Sequence, residues 1–244
     1  MKAATMRPRG FGPTRATLVA LVLLLAAAGC GDAAREAEIY RVQRGYWLAY
    51  RAGQEAAMRG ARPDSTELLA LRQKFIAAVD QAAPTIKAMG PGKTRSALDE
   101  RLLRVVGFGE IQAGRLAMDA GRPDLALERC RALVSHAEGD TAVTRQADIM
   151  IAGALRRMGR HEEAIEAMRG MLERYPPHPP DSTGVEDFIL TIPTLIVSTR
   201  KDMGDEAGAK RELEASRVYY EGLLSQAPLD PRLEAQVRLH LVHS

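Results

Sequence analysis

The sequence predicts an all-α protein in which helix–turn–helix repeats stack side by side as an α-solenoid. Three observations carry this. GRPDLALERC begins at Gly121 and GRHEEAIEAM at Gly159, 38 residues later, and both read Gly-Arg-x-acid-x-Ala-aliphatic. A period in the thirties marks a helical array. Aromatic residues make up only 5% of the chain while Ala, Leu, Arg and Glu abound, a composition that favours helices with small residues at close contacts. The longest strand-like run, Thr191–Val197, fits a helix as well.

The N-terminus is read first as an export segment. Residues 1–15 hold Lys2, Arg7, Arg9 and Arg15 and no acid, and ATLVALVLLLAAAG follows. That apolar run is shorter than the ~20 residues a spanning helix needs and fits the core of a secretory signal. Ala27-Ala28-Gly29-Cys30 resembles the lipobox of bacterial lipoproteins. The family pattern has Leu three residues before the Cys, where this chain has Ala27. The resemblance implies cleavage after residue 29, lipidation of Cys30 and a cell-envelope protein anchored by its acyl chains. Gly31 after the Cys, where an Asp would signal retention, favours the outer membrane, facing the periplasm.

Parsing the signal changes the charge argument. The whole chain is +3 at pH 7, but removing residues 1–29 leaves 30 basic against 31 acidic residues. The apparent basicity belongs to the export signal, and no nucleic-acid footprint remains. Only Cys130 is left beside Cys30, so no intrachain disulfide is expected in the lipidated chain.

The helices are then justified in chain order. Ile39, Val42, Tyr46, Ala49, Gly53 and Ala57 share one face at spacings near 3.6, predicting a first helix to about residue 59. Pro63-Asp64 starts a second, with Leu68, Leu71, Phe75, Ala78 and Val79 along a stripe. Together residues 30–92 read as N-terminal helices, of which 35–80 admit a reading as a degenerate repeat. After a Gly-Pro-Gly loop, Ser96 caps a long helix with Asp99 at its third position. Residues 93–178 hold that lead-in helix and two repeats. In each, Gly121 or Gly159 turns the chain, Asp124 or Glu162 sits where a helix N-terminus favours negative charge, and Ala126 or Ala164 allows close helix approach. Prolines at 176, 177, 179 and 180 forbid helix, giving a proline-rich loop at 179–184. Residues 185–244 read as a weaker third repeat, its first helix starting near Pro193 and keeping Gly204 and Ala209. Asp230-Pro231 then opens a closing helix of the kind arrays need as a cap.

Gly114, Gly121 and Ala126 in the first repeat, and Ala152, Leu155, Gly159, Ala164 and Pro176 in the second, resemble the tetratricopeptide repeat (TPR). The resemblance implies a right-handed superhelix whose first helices line a concave groove for a protein or peptide partner. Carried over position by position, the groove would present Phe108, Ile111, Arg115 and Met118 from repeat one and Gln146, Ile149, Arg156 and Arg157 from repeat two, with Lys201 continuing the row. Mixed apolar and basic side chains suit an extended or acidic peptide. The family's carboxylate-clamp variant needs Asn, and the chain has none. Cys130 falls where the family buries a side chain. A lipobox followed by such repeats is also similar to the lipoprotein subunits of outer-membrane β-barrel assembly machines, which implies a machine-part reading beside the general scaffold.

Catalytic motifs are weak by comparison. Met89–Thr94 lacks the Gly at position 87 that a phosphate loop requires, holding Lys87 instead. His161-Glu162-Glu163 has Ile165 where a second zinc ligand would stand, and His240 with His243 has no carboxylate nearby in sequence. No G-x-S-x-G elbow occurs. Acid pairs such as Glu162-Glu163 and Asp205-Glu206 sit at helix starts, where the helix dipole accounts for them. The expectation is a binding protein with no catalytic residues, metal or cofactor and no small-molecule substrate; an envelope hydrolase is the least supported reading.

Overall fold

The computed structural model describes residues 15–58, 63–90, 95–137, 141–179, 187–225 and 229–243; the side chains of 15–31, 141 and 243 fall outside it. Every regular element among the described residues is a helix, with no strand among them. Helix α1 spans Arg15–Met58, α2 Ser65–Val79 and α3 Ala83–Met89 after a 3₁₀ turn at Asp80–Ala82. Then come α4 Ala97–Asp119, α5 Pro123–His136, α6 Thr141–Arg157, α7 His161–Arg174, α8 Phe188–Asp202, α9 Glu206–Ser225 and α10 Pro231–His243. Residues 1–14 of the export segment lie outside the described residues. Cys30 sits on the α1 backbone, its side chain undescribed. Among the described residues no helix is long and apolar enough to cross a membrane.

Local chemistry sets these boundaries. Asp64 caps α2, accepting from the Glu67 amide, and Glu67 reaches back to the Asp64 amide. Ser96 and Asp99 form the same reciprocal box on α4, satisfying two donors that a helix start leaves orphaned. Asp230 Oδ1 accepts from the Arg232 amide at α10. The lead-in and the first helix of repeat one are one continuous helix, α4. The third pair begins earlier than Pro193, because Asp187 accepts the Ile189 amide and starts α8 one turn ahead of the proline. Pro193 lies buried inside that helix.

Three helix ends are built alike. Gly121, Gly159 and Gly204 have φ of 76°, 73° and 73°. At each, the next residue's amide bonds five residues back: Arg122 to Ala117, Arg160 to Leu155 and Asp205 to Arg200. This is the six-to-one bond of a Schellman ending, which needs a left-handed residue at the turn. After each turn a buried alanine follows, at Ala126, Ala164 and Ala209.

Each helix packs on its successor along α4 to α10, and α1 and α2 both pack on α4. Small residues permit the approach: a Cβ at Gly45 would lie 2.6 Å from the Ala78 Cβ, and one at Gly107 2.6 Å from Val143 Cγ1. The central core joins α4 to α8 through Leu155, Ile165, Met168, Met171, Ile189 and Ile192. A second core, around Ile39, Val42, Leu102 and Leu103, fixes α1 to α4. Arg129 of α5 binds Glu110 of α4 at 2.5 Å and Asp80 at 2.7 Å, tying three elements with one guanidinium.

Candidate functional site

A cleft of about 760 Å³ opens between α4, α6 and the segment after α7. Its α4 wall is Phe108, Ile111, Gln112 and Arg115; Ala142, Arg145 and Gln146 come from α6. The far wall is Arg174, Tyr175, Pro176 and His178. Phe108 is 50% exposed while Ile111 is only 3% exposed, so Phe108 projects and Ile111 forms the floor. Among the described residues no carboxylate lines the cleft, whereas three arginines do.

The far wall is held by two buried acids. Tyr175 donates to Asp148 Oδ2 across 2.7 Å, and Arg174 pairs with the same oxygen at 3.1 Å. Burial and the Asp148 carboxylate raise the Tyr175 hydroxyl above the usual phenol range, so it remains a donor. Asp187 accepts the His178 amide at 2.8 Å and pairs with Arg145 at 2.5 Å. The segment from Tyr175 to His178 therefore packs against α6 and the start of α8. The loop's residues 180–186 lie outside the described residues.

Four sequence-derived groove positions, Phe108, Ile111, Arg115 and Gln146, meet in this cleft. Met118, Arg156 and Arg157 line a second, of about 460 Å³, with Gly153 and Asp202. There the arginines are engaged. Arg156 binds Ser198 and Asp202 of α8, and Arg157 donates to the Met118 carbonyl at 2.7 Å. Ile149 packs against the central core instead of facing a groove. Lys201 is exposed and lines neither cleft.

Sequence reasoning missed Arg145, Arg174, Tyr175 and His178 as site residues, and it missed that the first helix, α1, contributes to the site. A smaller cleft of about 190 Å³ adjoins the first through Phe108 and is lined by Gln43, Tyr46, Trp47 and Val105. A signal was present: four of the chain's eleven aromatic residues fall between Tyr40 and Tyr50, too many for one buried face.

Cys130, a possible nucleophile, is fully buried, and burial, with Glu110 and Asp148 nearby, pushes its thiol up to about 12. Among the described residues no group of His, Cys, Asp and Glu is placed to hold a metal ion. No family model matches the chain, and no curated protein or solved structure matches it either.

Proposed function

We propose that this chain is a lipid-anchored, periplasm-facing scaffold for protein–protein interaction, built from TPR-like repeats in an α-solenoid. One observation carries the binding role. The first helices of two successive pairs, α4 and α6, flank an open cleft whose projecting groups are Phe108, Arg115 and Gln146. The recurrent glycine ending at 121, 159 and 204 supports the repeat reading. A cleft with apolar and aromatic surface, three arginines and, among the described residues, no carboxylate suits an extended peptide carrying an acidic side chain, which Arg115, the one of the three not already paired with Asp187 or Asp148, can grip in a fork geometry. Anchoring rests on the residues around Cys30, whose acylation would hold the array at the outer membrane; each buried methylene contributes ~0.8 kcal/mol.

Affinity capture from solubilised envelopes tests the role. Wild type and a Phe108→Ala/Arg115→Glu variant are compared on the same resin. Phe108 is half exposed and Arg115 exposed, so the variant keeps its helical content and loses the partner. Retention of an unchanged partner set with intact circular dichroism would contradict the proposal.

A further inference from the structure

The outer face of α1 is unusual for the first helix of a stack. Tyr40 is 65% exposed, Trp47 63% and Leu48 58%, and Met58 is exposed as well. Arg41, Arg44 and Arg51 stand on the same side of the helix and are exposed. From Ile39 to Gln54 there are three arginines and no acid. None of the three has a carboxylate partner among the described residues; Arg41 bonds only the Ala37 carbonyl. Aromatic rings with a polar tip beside arginines are the chemistry of a membrane–water interface, where Trp and Tyr settle at headgroup depth and guanidinium groups reach anionic lipid.

Geometry brings this face to the bilayer. The helix is continuous from Arg15 to Met58, so no flexible tether separates Cys30 from the fold, and Ile39 is already fully buried in the second core. At ~1.5 Å per residue, Tyr40 lies ~15 Å and Trp47 ~25 Å along the axis from Cys30. An α1 standing upright on an acylated Cys30 would leave these rings in water. An α1 lying down buries them in the headgroup layer.

We propose that the Tyr40–Arg44–Trp47–Leu48–Arg51 face of α1 lies in the interface of an anionic bilayer and lays the array along the membrane surface. The placement rests on the Cys30 anchor; the face's affinity for lipid rests on its own side chains.

Trp47 is the chain's single tryptophan and reports its own surroundings. The lipidated full chain is reconstituted into phosphatidylglycerol-containing vesicles, with pure phosphatidylcholine vesicles as comparison, and co-flotation is measured with Trp47 emission. The expected result is a blue shift and quenching by lipids brominated near the headgroup, larger on the anionic vesicles and reduced by salt. A Tyr40→Asp/Arg44→Glu/Arg51→Glu variant should float equally but lose the shift. A chain that floats with Trp47 still water-like overturns the surface and leaves the anchor standing. A chain that does not float overturns both. Equal shifts in wild type and variant also overturn the proposal, as does a shift seen only on adding envelope proteins, which would make the face a protein contact.

Discussion

The Tyr175 hydroxyl donates to Asp148 across 2.7 Å, joining the start of the proline-rich segment to the middle of α6. Asp148 is buried, so the bond is sheltered from water. Replacing Tyr175 by Phe leaves the carboxylate with Arg174 alone, and losing a hydrogen bond to a charged group costs about 1.5–3 kcal/mol. Urea denaturation should show a lower midpoint with an unchanged slope. A midpoint equal to wild type would mean that the bond holds nothing in place.

Asp187 should matter more than its exposed counterparts. It caps α8, pairs with Arg145 and accepts the His178 amide. Removing one partner of a buried pair costs roughly 3–5 kcal/mol, so Asp187→Ala should strongly lower the melting temperature. Asp124 pairs with Arg122 at 2.6 Å on the surface, and Asp124→Ala should change stability by ~0–1 kcal/mol. Equal losses in thermal melts would refute this ranking.

Glycines divide by backbone conformation. Gly159 and Gly204 both have φ of 73°, so Ala at either should cost ~1–2 kcal/mol. Gly222 lies in α9 with open space around an added Cβ, and Gly222→Ala should stabilise by ~0.5–1 kcal/mol. The two signs, read from denaturant midpoints, are the check.

Cys130 should be inert in the folded chain. Its thiol holds its proton to about 12, against a reference of 9.0. A thiol-reactive chromogen at pH 8 should label it only after denaturant is added. Between pH 9 and about 12 the unfolded chain releases this proton and the folded chain keeps it. Stability from this group is therefore complete below pH 9 and declines as pH rises through that window. Cys130→Ala should show a shallower decline; identical pH slopes would contradict the assignment.

What the sequence disclosed depended on how local the cause was. Gly121 and Gly159 were legible because a left-handed helix ending admits few other residues. The Ser96–Asp99 box and the Asp230 cap act within three residues and were legible for the same reason. The start of α8 was misplaced at Pro193, because a cap at Asp187 outweighed the proline's preference for a first turn. Arg145–Asp187 spans 42 residues and Arg129–Asp80 spans 49, and no local pattern marks such pairs. Hence Arg156 and Arg157, read as free groove side chains, are instead ties to Asp202 and the Met118 carbonyl. Periodicity identified the buried face of α1 but not that Trp47 shares a cleft with Phe108, because a wheel of one helix carries no information about its neighbour.

The most direct test of the scaffold reading places a photo-crosslinking amino acid at position 115 in living cells. A matched control carries it at Glu166, exposed on α7 and outside the clefts. The account predicts a discrete protein adduct from position 115, abolished by Phe108→Ala, and none from position 166. No adduct at 115, or the same adducts at both positions, would contradict the claim that the α4–α6 cleft is where this protein holds its partner.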